Sequence, residues 1–204
     1  MDTIAASELI INSDGSIFHL HLLPAEIADN IILVGDQDRV EVVSSFFDTI
    51  EVKKQNREFK THTGYYNGKR ISVISTGIGT DNIDIVVNEL DALVNIDLKT
   101  RKIKDEKKTL NIVRIGTSGS LQADIEVDTP VISVMGIGFD GLLNYYANRN
   151  SICNLDIEQA FLKHMDWNKQ LTTPYFVNCS QTLLNKIGFD MRQGLTISAP
   201  GFYG

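Results

Sequence analysis

The 204-residue chain predicts an α/β fold with a mixed sheet flanked by helices, on three observations. Short apolar runs of strand character alternate with stretches of helical periodicity. An Asn-Gly dipeptide joins two of the runs as a hairpin, so the strands cannot all be parallel. Glycine-bearing turns follow several runs, at the strand ends where ligands of open α/β sheets bind.

The elements follow in chain order. Residues 1 to 16, mostly polar or small, read as a partly mobile arm. His19 and His21 alternate in Phe18-His19-Leu20-His21-Leu22, which places both on one face of a strand. Pro24 opens a short helix, because proline suits a first helical position. Ile31 to Val34 is a buried strand, and Val40 to Phe47 a helix. Thr49 to Lys54 and Lys60 to Tyr66 are strand-like, and the Asn67-Gly68 turn leads into the strand Ile71 to Ser75. Thr76 to Asn82 is a glycine-bearing turn. Ile83, Val86, Val87, Leu90 and Leu93 recur at helical spacing over Ile83 to Val94, giving a helix with one buried face. Asp97 to Lys108 is charged and reads as an exposed loop or helix extension. Strands are expected at Leu110 to Ile115, Thr129 to Val134, Tyr175 to Asn178 and Leu195 to Ala199, with helices at Asp156 to Met165 and Gln181 to Ile187. All of this fits one domain over residues 1–204.

Composition narrows the function. A net charge of −7 and a pI near 5.0 argue against a general nucleic-acid surface. Cys153 and Cys179 have neither metal nor redox spacing and read as packing residues of a cytoplasmic protein. No uninterrupted apolar run approaches membrane-spanning length, so no membrane is expected as a partner.

Against that acidic background, two arginine-bearing turns stand out. Gly35-Asp36-Gln37-Asp38-Arg39 links an apolar strand to a helix, where backbone N–H groups and the helix dipole favour an anion. Arg114-Ile115-Gly116-Thr117-Ser118-Gly119-Ser120 leaves a second strand with hydroxyls at Thr117 and Ser118 and glycines that admit close backbone approach. Guanidinium groups bind phosphate oxygens in bidentate fashion, so the turns read as two halves of one anion site, with Asp36 and Asp38 as rival partners for the arginines. Gly35, Thr76 to Asn82, Gly116 to Ser120 and Pro200 to Gly204 are all expected to converge on it. Gly77-Ile78-Gly79 lacks the third glycine of a dinucleotide loop. Ser118 lacks a nucleophile elbow and a base. No metal is assigned to His19 and His21, which lack an acidic ligand pattern.

Gly35-Asp36-x-Asp38-Arg39, Arg57-Glu58-Phe59, Ser75-Thr76-Gly77-Ile78-Gly79 and Arg114-Ile115-Gly116-Thr117-Ser118-Gly119 follow one another in the order found in nucleoside phosphorylases. The chain resembles that family, above all its uridine phosphorylase branch, from about Phe18 to Val134 and again from Thr196 to Gly204. The resemblance implies a three-layer α/β/α subunit that performs reversible phosphorolysis of a uridine-like nucleoside to free base and ribose 1-phosphate. It implies that Gly35, Arg39, Arg114 and Thr117 bind phosphate, with Arg114 and Thr117 catalytic and Arg57 donated by a neighbouring subunit. It further implies that Ser118 and Gly119 line the sugar and base region, Phe202 lies beside the base and His19 reaches the sugar across a dimer. Homodimers, or hexamers built from them, are implied, with inorganic phosphate as co-substrate and no other cofactor. In some members a monovalent cation sits near the positions of Glu58, Ile78 and Asn82. The chain stops before the family's pyrimidine-selecting and ribose-gripping segments. A hydrolytic nucleosidase and a catalytically silent ligand-binding protein of the same fold are the alternatives.

Overall fold

The computed structural model describes residues 3–201, which fall into two compact units divided between Ser118 and Gly119. In chain order the elements are β1 (Asn30–Val34), α1 (Gln37–Ser44), β2 (Thr49–Asn56), β3 (Phe59–Tyr66), β4 (Lys69–Ser75), α2 (Thr80–Asn95), β5 (Ile96–Asp97), β6 (Lys102–Ile103), β7 (Asn111–Ile115), β8 (Val131–Gly138), α3 (Arg149–Ile152), α4 (Leu155–His164), β9 (Tyr175–Asn178), α5 (Gln181–Ile187) and β10 (Arg192–Ser198). A 3-10 turn, Pro24–Glu26, begins at the expected proline.

The first unit carries a mixed five-stranded sheet in the order β2-β3-β4-β1-β7. β1 pairs in parallel with β4 and β7, whereas the β2-β3 and β3-β4 pairs are antiparallel. Asn67 and Gly68 both have left-handed φ, +48° and +72°, as the tight β3-β4 turn requires. Because side chains alternate along a strand, β1 feeds two cores. Ile31 and Leu33 pack with Ile74 of β4 and with Val86, Leu90 and Leu93 of α2. Ile32 and Val34 pack with Val73 of β4 and with Val40 and Val43 of α1. The sheet is thus the middle layer of three, with a helix on each face. The chain leaves β1 through α1 to reach β4 on one side, and passes through α2 on the way to β7 on the other. β1 therefore lies where the strand order reverses, beyond whose carboxyl end α/β sheets bind ligands.

The second unit has a three-stranded sheet, β10-β8-β9, parallel on one side and antiparallel on the other. Its core joins Met135, Ile137 and Phe176 to Phe139 and Phe161. Trp167 extends this cluster, 5.1 Å from Phe139 and 5.6 Å from Phe161 between ring centroids. Asn154 caps α4 by accepting from the Ile157 N–H. Inside this unit the Arg149 guanidinium donates to Glu158 at 2.6 Å, with side chains only 13% and 5% exposed.

Several expectations change. Phe18 to Leu22 is a turn rather than a strand, and His21 has φ +54°. The N-terminal arm is not a free tail: Ile11 bridges Ile17, and Leu9 and Ile11 pack against the main core. Asp97 to Lys108 is neither a plain loop nor a helix extension but begins as the β5-β6 hairpin. Its Asp97 carboxylate accepts from the Lys99 and Thr100 N–H groups, and Arg101 donates to the Leu9 carbonyl. Val87 is 42% exposed, off the buried face of α2, whereas the uncounted Glu89 is buried.

Candidate active site

Three turns meet at the carboxyl edge of β4, β1 and β7. In register, Val34 lies opposite Ser75 on one side and Ile115 on the other, so Gly35, Thr76 and Gly116 leave the sheet side by side. The Thr76 N–H donates to the Val34 carbonyl at 2.8 Å, closing the first junction. A side-chain carbon on Gly35 would lie 3.7 Å from Arg114 Nη2 and 3.8 Å from the Gly77 carbonyl oxygen. One on Gly116 would collide with the Arg114 guanidinium, which folds back over that glycine. Arg114 is thereby drawn to the mouth of β1, where a side-chain carbon on Gly35 would only just touch it.

Gly77 adopts φ +70°, a conformation glycine enters without penalty. It is also hemmed in, since a side-chain carbon there would meet Asn82 Nδ2 at 2.6 Å and Glu58 Cγ at 3.0 Å. The Asn82 amide donates to the Ile78 carbonyl at 3.2 Å. Its nitrogen, a donor, is thus the end turned toward Gly77 and the Ile78 carbonyl. Among the described residues no group of three or more His, Cys, Asp or Glu side chains is placed to hold a metal.

Arg39 stands in the first turn of α1. Asp36 caps that helix, its Oδ1 accepting from the Asp38 N–H at 2.8 Å, so part of the positive end of the dipole is already spent on a carboxylate. Attraction for an anion at this edge therefore falls chiefly to the guanidinium groups. Arg57 projects from the two-residue β2-β3 turn with φ +54°. Its carbonyl accepts from Gln37 Nε2 at 2.9 Å, tying the turn to the start of α1. Ser75 fixes the same turn from below: its Oγ donates to the Glu58 carbonyl at 2.6 Å and accepts from the Lys60 N–H at 2.7 Å.

The arginines divide cleanly. Of seven in the sequence, Arg70, Arg149 and Arg192 form ion pairs, and Arg101 is bound to a carbonyl. Arg39, Arg57 and Arg114 have no carboxylate partner among the described residues, although Asp36 and Asp38 stand close to Arg39 in sequence. The Arg57 guanidinium lies instead beside a ring, its carbon 5.8 Å from the centroid of Phe18.

The sequence profile described as the phosphorylase superfamily matches residues 29–204. The chain belongs to this family. As a phosphorylase-superfamily member it is 27% identical over 165 residues to a uridine phosphorylase of Thermococcus kodakarensis, a match covering 80% of this chain and 54% of that protein. It is 32% identical over 139 residues to a DeoD-type purine nucleoside phosphorylase of Listeria welshimeri, covering 68% of this chain and 52% of the other. Among solved structures it resembles a Trypanosoma brucei nucleoside phosphorylase described as showing uridine phosphorylase activity. There the TM-score is 0.82 at 28% identity, over 96% of this chain and 70% of the other. The chain spans about half the length of these curated relatives.

Within this phosphorylase-superfamily chain, the residues expected at the phosphate and the sugar separate into two places. Gly35, Arg114 and Gly116 are in or near contact, with Arg39 in the first turn of the adjoining helix and Thr117 immediately beyond Gly116. Arg57 and His19 lie in the other place, joined through Phe18, whose ring is 4.8 Å from that of His19. Asn56 Nδ2 also donates to the His19 carbonyl at 2.8 Å. Ser118 is exposed at the end of the first unit, Gly119 begins the second, and Phe202 lies outside the described residues. Of the expected contribution of Pro200 to Gly204, residues 202–204 likewise lie outside the described residues. His21 is separated in role from His19, its Nε2 lying 3.1 Å from Asp14.

The sequence reading missed Ser75 as the brace of the Arg57 turn, and it missed Glu89. Glu89 was visible in principle. It falls on the stripe of Val86, Leu90 and Leu93, and a charge on a buried helical stripe calls for a partner.

Proposed function

We propose that the protein is a cytoplasmic nucleoside phosphorylase, cleaving a nucleoside with inorganic phosphate to give free base and ribose 1-phosphate. The observation that carries this reading is the three guanidinium groups left without an internal carboxylate, two of them at the strand edge where β1 reverses the sheet order. Unpaired cations gathered at one edge of an acidic protein need an anion, and arginine matches phosphate oxygens with its fork of donors.

Arg39 and Arg114 hold the phosphate, Gly35 leaves room for its approach, and the Thr117 hydroxyl donates to a phosphate oxygen. As the bond from C1′ to the base breaks, its electron pair leaves with the base and positive charge develops on the sugar. The bound phosphate stabilises that charge and then supplies the oxygen that bonds to C1′. Positioning and electrostatics carry the rate, so no protein nucleophile is needed. Ser118, Gly119 and Phe202 serve the sugar and base side. His19 and Arg57, held together through Phe18, are donated as one group to the site of a neighbouring subunit in a homodimer or a hexamer of dimers.

The proposed substrate is uridine-like, in keeping with the similarity to the Trypanosoma brucei protein. Similarity to the Listeria purine enzyme makes inosine the rival. Release of base from uridine, thymidine, inosine and adenosine, each with and without phosphate, tests the whole reading. Phosphate-dependent cleavage of uridine is expected. Phosphate-independent cleavage would make the protein a nucleosidase, for which the unpaired arginines have no use, and absence of cleavage and binding would leave only the fold.

A further inference from the structure

We propose that Glu89 is a positioning residue that fixes the His19 ring with its proton on Nδ1 and presents Nε2 as a hydrogen-bond acceptor to a hydroxyl of the bound sugar. This rests on the assignment of His19 to the nucleoside given above.

Glu89 is 8% exposed and sits on α2 among Val86, Leu90 and Leu93. Its carboxylate accepts from three donors of the neighbouring turn: the His19 N–H at 2.9 and 3.1 Å, the Leu20 N–H at 2.8 Å, and His19 Nδ1 at 2.7 Å. An ionised carboxylate only accepts, so Nδ1 must carry the proton, and in the neutral ring Nε2 is then a bare acceptor. Nε2 has no partner among the described residues and is not among the buried unsatisfied atoms. Phe18 and Phe59 meet the ring edge-on at 4.8 and 6.3 Å, restricting rotation. The ring is therefore set in direction by its neighbours and in polarity by Glu89.

A carboxylate that merely anchored the turn would need only the two backbone N–H groups. Glu89→Gln separates the two roles. The amide oxygen can take the place of Oε2, keeping the Leu20 N–H at its short distance and the His19 N–H at its longer one. The amide nitrogen then faces Nδ1 and must donate to it. The Leu20 N–H keeps its acceptor and the His19 N–H keeps the longer of its two, while the ring is forced into the opposite tautomer, with Nε2–H a donor.

The test uses the whole protein labelled with ¹⁵N at histidine, at mildly alkaline pH. The expected His19 signals show Nδ1 protonated in the parent and Nε2 protonated in Glu89→Gln. Uridine or inosine, whichever binds, is then titrated beside its 2′-, 3′- and 5′-monofluoro analogues, since fluorine cannot donate. At one sugar position the fluoro analogue should bind the parent more weakly than the natural nucleoside. In Glu89→Gln that ratio of Kd values should shrink roughly three- to tenfold, the scale of one net hydrogen bond.

A bare Nδ1 in the parent overturns the proposal even if the variant does not fold. So does an inverted tautomer with no change of ratio at any position. If His19→Ala leaves nucleoside Kd unchanged, the assignment of His19 to the sugar fails first and the proposal with it. If His19→Ala weakens binding but Glu89→Gln does not alter the fluoro ratios, positioning by Glu89 alone is wrong.

Discussion

Arg114→Ala should strip the protein of phosphate affinity while leaving it folded. The guanidinium is exposed, makes no ion pair or hydrogen bond among the described residues and touches chiefly the backbone of Gly116. Truncation therefore removes nothing the fold relies on, and stability should stay within about 0.5 kcal/mol of the parent. A hydrogen bond to a charged group contributes about 1.5–3 kcal/mol. Loss of one such bond to phosphate corresponds to roughly a 10- to 150-fold weakening, at about 1.4 kcal/mol per factor of ten. The assay is base release against phosphate concentration at saturating nucleoside, with phosphate Kd by calorimetry as a check. Nucleoside Kd should move far less. Arg101→Ala is the control: it loses the hydrogen bond to Leu9 and some stability, but phosphate use should not change. Equal phosphate dependence in Arg114→Ala and the parent would refute the assignment of that edge to phosphate.

Four further outcomes are expected. If Arg57 serves a neighbouring site, Arg57→Ala and Arg114→Ala subunits unfolded together and reassembled should recover activity toward roughly a quarter of the parent's, because about half the random dimers are mixed and each has one intact site; recovery no greater than the mean of the two variants, with subunit exchange verified, would place Arg57 within its own chain. Gly77→Ala should cost at least about 1–2 kcal/mol in urea unfolding, since φ +70° is unfavourable for alanine and the added carbon meets Asn82 Nδ2 at 2.6 Å; an unchanged midpoint would mean that the turn relaxes freely. Glu158→Ala should destabilise the second unit by about 3–5 kcal/mol by leaving Arg149 charged and nearly buried, and Arg149→Met with Glu158→Leu should restore most of it; a single-variant loss no larger than the double's would contradict this. Burial, reinforced by Lys53 and Lys60, holds the His62 imidazole below the ordinary histidine range. The unfolded chain therefore takes up a proton there first, so this contribution is complete above about pH 6.5 and is lost as pH falls toward the lower folded value. Urea midpoints should drop more steeply with acid in the parent than in His62→Gln, and parallel slopes would contradict the sign.

Much of the first unit was legible because its signals are local and mutually consistent. The Ile31 to Val34 run, the Asn67-Gly68 turn and the periodicity of the helix after Gly79 each point to one structure. The arginine turns were legible for a related reason: charges leaving apolar strands have few purely structural uses. The start of α1 was placed three residues late, because apolar periodicity begins at Val40 whereas the capping carboxylate lies at Asp36. Phe18 to Leu22 alternates like a strand, yet the N–H groups of His19 and Leu20 point to one acceptor. Successive N–H groups of an extended strand point apart, so the carboxylate of Glu89, 70 residues from His19 in sequence, decides the turn. No local pattern contains such information. The same holds for Asp97, whose capture of two following N–H groups makes a hairpin out of a stretch whose charge suggests only exposure.

The hydroxyl of Ser75 grips the Arg57 turn by main-chain atoms alone, the Glu58 carbonyl and the Lys60 N–H. Where that turn points is consequently independent of which side chains it displays. Residue 57 can be exchanged for another side chain that accepts a left-handed backbone, and the replacement will leave from the same place in the same direction. Ser75→Ala has the opposite character, keeping every group the turn carries while leaving a carbonyl and an N–H without their brace. The scaffold thus separates aim from cargo, so that the chemistry offered at this turn can be rewritten one residue at a time.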